Sequence, residues 1–245
     1  VGDFYGMAKP LHILAKPGDI APRVVASGDP ARVKQLSTLL EDARLVNENR
    51  GFLVYTGKWR GVDVTVATHG IGAPSAAIVF EELIMLGAKL IVRFGTCGGF
   101  LKEMRVGDFV IATGASYVPG GTLNTYTRGD CLVAVPDYEV LKSLVEKAEE
   151  RGLRYFLGPV ISSDNFYAGV DFLNEWIKRG MIAVDMEAAT LMVLSRIRGV
   201  KAGAAFVVSD VIGEVYAKMA TAEELREAVD KASRAVLDAV VSVKI

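Results

Sequence analysis

The chain is poor in the residues that disulfide and metal chemistry need. Its 245 residues include two cysteines, Cys97 and Cys131, and two histidines, His12 and His69. The cysteines fit neither a disulfide framework nor a zinc-ligand spacing, and the histidines lie far apart in sequence. No metal site and no organic cofactor are therefore expected. Long apolar runs are missing as well. The richest stretch, Ala76 to Leu86, is broken by Glu81 and Glu82, and a membrane-crossing helix needs roughly 20 apolar residues. Excess charge of either sign is absent, with a net charge of −1. That argues against a nucleic-acid or membrane partner held by bulk electrostatics. Val1 to Pro10 has no positive segment followed by an apolar run, so it does not read as a signal peptide, and a cytoplasmic setting is expected. There is no Gly-x-Ser-x-Gly elbow and no phosphate-binding Gly-Lys-Ser/Thr motif. Thr68-His-Gly-Ile-Gly-Ala-Pro-Ser75 looks superficially like a dinucleotide fingerprint. It lacks the third glycine, carries a proline in the turn, and has no acidic residue on a following strand to complete it.

What is present is a globular composition, 51% apolar and 23% charged, on a chain long enough for a substantial core. No repeat, linker or low-complexity segment divides it, so residues 1–245 read as one domain. Arg23–Ser27 reads as a strand that ends in the turn Gly28-Asp29-Pro30. Phe52–Thr56 and Val62–Thr68 are β-rich and joined by Gly57–Gly61, a hairpin signal. Pro74–Leu86 has helical spacing, with a first-turn proline and Gly87 as its stop. Leu90–Phe94 is a buried strand feeding a glycine-rich segment, Gly95–Gly99. Strands are also expected at Phe109–Thr113, Tyr155–Ile161 and Ala202–Val208, and helices at Tyr138–Arg151 and Met186–Arg198. Thr221–Val243 reads as a long amphipathic helix opened by a Thr221/Glu224 capping box. Strands alternating with helices predict an α/β fold with a central, largely parallel or mixed sheet flanked by helices. Ligands in such folds bind beyond the C-terminal ends of strands, and the polar clusters of this sequence sit there.

Arginines and hydroxyls gather at those ends. Gly28-Asp-Pro-Ala-Arg32 follows the first strand, Arg50-Gly51 precedes the hairpin, and Arg93 lies three residues before Thr96. A guanidinium offers a planar fork of donors that matches phosphate oxygens. The Gly28 N–H and the Thr96 hydroxyl add neutral donors. Arg32 reads equally as a solvated helix residue, and Arg50 as a surface loop residue. Arg93 is different, because a charge in an apolar strand needs a partner; it belongs either to an anion clamp or to a structural ion pair. Glu187 is either a charge that favours a helix start or an acceptor for sugar hydroxyls. Met186 is either core or a surface for a sugar face. Asp210, after Ser209 at a strand end, is either a turn residue or a group facing a substrate. The pair Phe166-Tyr167 is either core or a stacking surface.

Taken together, these segments resemble the nucleoside phosphorylase family, which includes hexameric purine nucleoside phosphorylase, archaeal methylthioadenosine phosphorylase and uridine phosphorylase. The resemblance runs from about His12 to the final helix. It is carried by Gly28-Asp-Pro-Ala-Arg32, Asn47-Glu-Asn-Arg-Gly51, Thr68-His-Gly-Ile-Gly72 with Pro74-Ser75, Arg93-Phe-Gly-Thr96, Ser163-Asp-Asn-Phe-Tyr167, Met186-Glu187 and Ser209-Asp210. The archaeal branch also shares the phrasing of Leu11-His-Ile-Leu-Ala15 and of Asn49 to Gly57.

The resemblance implies the nucleoside phosphorylase fold and phosphorolysis of a nucleoside, with inorganic phosphate as co-substrate. It implies phosphate binding by Gly28, Arg32, Arg93 and Thr96, with Arg50 supplied by a neighbouring subunit. Met186 and Glu187 are then expected to hold the ribose, and His12, also from the neighbour, to approach the 5′ substituent. Phe166 is expected to stack on the base, and Asp210 to address purine N7 with Ser209 beside it. Arg93 and Asp210 are the residues expected to carry catalysis. A homo-oligomer is implied, a hexamer built as a trimer of dimers, with His12 and Arg50 crossing the dimer interface. The uridine branch usually has Gln and Arg just after the Phe-Tyr pair, where this chain has Val170 and Phe172, and it usually lacks the acid that Asp210 supplies. Both departures favour purines. The arginine that assists the acid in bacterial purine enzymes falls at Leu225, with Arg226 one residue off. Uridine phosphorylase, a hydrolytic nucleosidase and a non-catalytic nucleoside binder are the rival readings.

Overall fold

The computed structural model describes residues 9–212 and 219–245. The leader reading of the first residues, Val1 to Ala8, lies outside the described part. In chain order the elements are β1 (Arg23–Ser27), α1 (Pro30–Ser37), β2 (Glu41–Asn47), a short 3-10 turn (Asn49–Gly51), β3 (Val54–Trp59), β4 (Val62–Thr68), α2 (Ala73–Met85), β5 (Leu90–Gly99), β6 (Phe109–Tyr117), α3 (Gly121–Thr127), α4 (Tyr138–Glu150), β7 (Tyr155–Ser162), α5 (Val170–Lys178), β8 (Ala183–Asp185), α6 (Ala188–Arg198), β9 (Lys201–Val211) and α7 (Arg226–Ser242).

The expected mixed sheet flanked by helices is present. Its strands follow the order β2-β3-β4-β1-β5-β8-β7-β6-β9, and β9 also pairs with β5. The strands β5, β8, β7, β6 and β9 therefore close on themselves, while β1 to β4 extend the sheet as a wing. β4, β1, β5 and β9 run parallel to one another, so their C-terminal ends lie along one edge. β8 runs antiparallel to β5, pairing Gly98 with Val184. It thus carries the chain from the far end of β5 back towards the middle of that strand.

β5 explains the layering. Leu90, Val92 and Phe94 join the core formed with α1, α4 and α7. Ile91 joins the opposite core, formed with α2 and α6. A strand buried on both faces reads as a continuous apolar run, and each such side chain contributes about 1.5–3 kcal/mol by leaving water. Arg93 falls on the Ile91 face by the two-residue alternation of a strand. That face looks towards the starts of α2 and α6.

Several elements differ from expectation. β5 does not end at Phe94 but runs on through Gly95–Gly99. Its glycines admit neighbours that a side chain would displace: a Cβ at Gly98 would lie 2.9 Å from Ile212 Cδ1. The hairpin turn shrinks to Arg60-Gly61, both at positive φ, since β3 and β4 pair as far as Trp59 and Val62. The last helix starts at Arg226 instead of Thr221. The capping box does form, with Thr221 N–H donating to Glu224 and Glu224 N–H donating to Thr221 Oγ1, but it closes a turn before the helix proper. The helix expected from Met186 starts at Ala188, because Asp185 already accepts the N–H groups of Glu187 and Ala188.

The wing, α4 and α7 are joined at Asp238, a carboxylate 4% exposed. Trp59 Nε1 donates to it at 2.8 Å, Arg151 donates through Nε at 2.7 Å, and Arg60 lies at 3.1 Å. Removing one partner of a buried charge cluster leaves the others uncompensated. Asp238→Ala is expected to lower unfolding free energy by about 3 kcal/mol, read from urea denaturation. A midpoint equal to that of the wild type would show the cluster to be dispensable.

Candidate active site

Four parallel strand ends meet at the candidate site. β1 ends at Ser27, and Gly28 follows. Asp29 then caps α1 by accepting the Ala31 N–H at 2.8 Å, with Pro30 in the first turn. The cap starts the helix at once and places Arg32 in its first turn, where Arg32 Nη1 donates to Ser27 Oγ at 3.1 Å. Beside it β4 ends at Thr68, paired with Ser27, and the His69 N–H donates to the Ser27 carbonyl at 2.8 Å. The two chains run so close that a Cβ at Gly28 would lie 2.9 Å from the Gly70 carbonyl oxygen. Only glycine fits there without a shift.

Arg93 is next along the sheet, paired with Ala26 of β1 and Ala204 of β9. It is 4% exposed. Its Nε donates to Asp185 Oδ2 at 2.9 Å, its Nη2 to Glu187 Oε2 at 2.5 Å, and its Nη1 to His69 Nε2 at 2.9 Å. Arg93 is thus a structural ion-pair residue, held by two buried carboxylates. Burial works against the Arg93 charge, but Glu187 and Asp185 outweigh it and hold the guanidinium above its ordinary pKa. Asp185 is the hub of this arrangement. It also accepts the Ser162 hydroxyl at 2.5 Å and the two N–H groups that open α6.

His69 is fully buried, and burial together with Arg93 pushes its pKa well below the usual histidine value. A neutral ring follows, with Nε2 accepting from Arg93 and Nδ1 carrying the hydrogen. Arg32 is shifted down as well, by burial and by Arg93, with Asp29 opposing. Two guanidinium groups are therefore close enough to repel. Arg93 is balanced by carboxylates, whereas Arg32 is only partly balanced. Its guanidinium is a fork of donors suited to an oxyanion.

Glu187 is buried and accepts the Gly72 N–H at 2.6 Å as well as Arg93. Burial and the nearby Asp185 raise its pKa, against the pull of Arg93. Met186 is half-buried and lines a narrow space with Ala73, Ser162, Asp164 and Thr190. Asp210 sits on β9 opposite Gly98, where the ladder shifts register by a residue. The Ser209 hydroxyl lies 2.7 Å from Asp210 Oδ1 and 3.1 Å from the Cys97 carbonyl. Burial lifts Asp210 above its ordinary pKa, and the Ser209 hydroxyl offsets part of that rise. A carboxyl group so placed holds a proton more readily than a free one and is suited to donating it. Thr96 is half-buried further along β5.

The structure does not bring every predicted residue to this point. Arg50 is exposed, in a left-handed backbone conformation at φ 55° and ψ 21°. Among the described contacts none joins it to Arg32 or Arg93. His12 is bound instead to Glu82, its Nδ1 2.7 Å from Oε1. Asn49 Nδ2 donates to the Leu11 and His12 carbonyls, so the Arg50 loop and the His12 segment form one unit. Phe166 is 59% exposed and meets Tyr167 edge-on, which rules out the core reading. Sequence reasoning missed Asp185, His69 and Glu82 as supports. Arg93 in an apolar strand did signal that a buried acid was needed, but not which one.

Among the described residues, no group of His, Cys, Asp and Glu is placed to hold a metal ion, and no helix is long and apolar enough to cross a membrane.

Residues 22–243 match the model of a family described as the phosphorylase superfamily. A guanosine phosphorylase from Halorubrum lacusprofundi is 40% identical over 199 residues, covering 81% of this chain and 82% of the relative. A DeoD-type purine nucleoside phosphorylase from Hahella chejuensis is 41% identical over 210 residues, covering 83% and 87%. A uridine phosphorylase from Thermococcus kodakarensis is 37% identical over 206 residues, covering 78% and 74%.

An anion that binds only the folded state stabilises it by about 2.7 kcal/mol at a hundredfold excess over Kd. Inorganic phosphate is expected to raise the melting temperature of the wild type, and Arg32→Ala to remove most of that rise. An equal rise in both proteins would exclude Arg32 from the anion site.

Proposed function

The chain belongs to the phosphorylase superfamily, and on that premise we propose that it cleaves purine nucleosides with phosphate, releasing the free base and ribose 1-phosphate. The observation that carries this reading is one of placement. A partly balanced Arg32, in the first turn of the helix that follows β1, lies beside the buried Arg93, and Asp210 with its raised pKa stands on β9, which is separated from β1 by β5 alone.

Phosphate is held by the Gly28 N–H, Arg32, Arg93 and Thr96, with Arg50 added from a neighbouring copy. Its oxygen attacks C1′ of the ribose as the bond from C1′ to the base breaks. The electron pair of that bond passes to the base, and Asp210 delivers a proton to N7, with Ser209 orienting the acid. Glu187 accepts hydrogen bonds from ribose hydroxyls, and Met186 packs on the sugar. Glu187 also touches Arg93, so the group that fixes the sugar is tied to the group that fixes the nucleophile. Holding the reactants in attack geometry and stabilising charge as it develops are the main sources of rate. Phe166, exposed at 59%, is available to stack on the base. No metal or organic cofactor enters this scheme.

Purines are favoured because an acid is present to meet N7, and because Val170 and Phe172 stand where a pyrimidine-reading pair is expected. The guanosine and purine nucleoside phosphorylases among the relatives support the same choice. A 5′-methylthio purine nucleoside is a further candidate substrate. The exposed Leu11 and Leu14, beside the Arg50 loop, support a dimer that completes each site with His12 and Arg50, within a hexamer. The unpaired Cys97 and Cys131 support a reducing compartment such as the cytoplasm.

Base release from inosine and uridine, with and without phosphate, tests the reading. Purine release that requires phosphate is expected. Release without phosphate would mean a hydrolase, and phosphate-dependent release from uridine alone would overturn the purine assignment.

Asp210→Asn is expected to lower kcat by about 10²–10⁴-fold while changing KM less. Because Asp210 is shifted up, its acid form persists to higher pH than in a free carboxyl. Wild-type kcat is expected to be present below that raised pKa and to fall as pH rises through it, with the fall missing in Asp210→Asn. Unchanged turnover in the variant would remove Asp210 from the mechanism.

A further inference from the structure

Glu82, which interrupts the apolar run of α2, is a buried carboxylate at 6% exposure. A buried acid is costly unless its oxygens are satisfied, and these are. Oε1 accepts the Leu11 N–H at 3.0 Å, and Oε2 accepts the N–H groups of His12 at 2.9 Å and Ile13 at 2.6 Å. Oε1 also meets His12 Nδ1 at 2.7 Å. Burial raises the Glu82 pKa, but the His12 ring and the three backbone donors outweigh it and leave it below its ordinary value. Glu82 is therefore an ionised group that only accepts.

The consequence falls on the His12 ring. Facing an acceptor, Nδ1 must carry the hydrogen, so the neutral ring presents a lone pair at Nε2. The ring is also held in place. Ile13, the next residue, is fully buried, Asn49 holds the carbonyls of Leu11 and His12, and Phe52 packs edge-on at 6.3 Å. With 21% of its side chain exposed, the ring can reach a solute through Nε2.

We propose that Glu82 is a positioning residue that fixes His12 as the Nδ1–H tautomer and so makes the enzyme select a 5′-hydroxyl over a 5′-methylthio group. The inference rests on the reading above, in which His12 meets the 5′ end of the ribose. A hydroxyl donates to the Nε2 lone pair, whereas a thioether has no hydrogen to give. A ring that donated from Nε2 would be met by the hydroxyl oxygen and also, more weakly, by the thioether sulfur, so the Nδ1–H tautomer discriminates more sharply than its alternative. One neutral hydrogen bond corresponds to about a three- to tenfold preference in kcat/KM.

The test compares inosine with 5′-methylthioinosine, which share a base, in the wild type, Glu82→Gln and His12→Ala. In Glu82→Gln the amide oxygen still accepts the His12 and Ile13 N–H groups, while the amide nitrogen, at the cost of the Leu11 bond, donates to Nδ1 and turns Nε2 into an N–H. The ratio of kcat/KM values is expected to fall about three- to tenfold in His12→Ala and by a smaller factor in Glu82→Gln. The tautomer is read directly from histidine ¹⁵N shifts. The chain has only two histidines, and His12→Ala identifies which signals belong to His12. Nδ1–H in the wild type and Nε2–H in Glu82→Gln are expected. An unchanged ratio in His12→Ala would overturn the placement of His12, and this inference with it. A ratio lowered in His12→Ala but not in Glu82→Gln would overturn the role of Glu82 alone. Should Glu82→Gln fail to fold, an Nε2–H signal in the wild type would overturn that role by itself.

Discussion

A positive charge in the middle of a buried strand is the constraint around which the site is built. Arg93 cannot be solvated where it stands, so the fold supplies two carboxylates and a neutral histidine. Each partner comes from a different element. His69 follows β4, Asp185 ends β8, and Glu187 opens α6. Satisfying Arg93 therefore requires β4, β5 and β8 to be in register and α6 to start where it does. Asp185 makes the requirement stricter, because the oxygen that holds Arg93 also accepts the first N–H groups of α6.

The same arrangement concentrates charge of one sign. With Arg93 fixed, Arg32 in the first turn of α1 faces a like charge and has only partial compensation from Asp29. In the proposed mechanism an anion brought there relieves the repulsion, which couples the cost of burying Arg93 to the affinity for phosphate. In the same scheme the contact between Arg93 and Glu187 extends the coupling to the sugar. The buried charges gather at one edge of the sheet, while Leu90, Ile91, Val92 and Phe94 of β5 pack into apolar clusters on both faces.

Much of this was legible in the sequence. The alternation of strands and helices, the hairpin, and the polar clusters at strand ends all follow from local rules, and the structure carries them. The glycines of Gly95–Gly99 misled, because glycine marks a turn and a close approach alike. Here close packing against Ile212, Val184 and Met104 is the reason for them, inside a strand. The helix start at Arg226 was misplaced because the Thr221 capping box closes a turn that does not propagate. The supports Asp185, His69 and Glu82 escaped because their roles depend on partners 92, 24 and 70 residues away.

By itself the sequence determined which residue types stand at strand ends and the periodicity that buries the sheet, since both depend on neighbours close along the chain. It also contained the family pattern, which is a matter of order and spacing. Only the tertiary structure decided that Arg93 is shared between Asp185, Glu187 and His69, that Arg32 is left partly balanced beside it, and that His12 turns its Nδ1 to Glu82. Hydrogen-bond partners and electrostatic environments are set by distances of a few ångströms between segments far apart in the chain, and spacing along the sequence carries no measure of them.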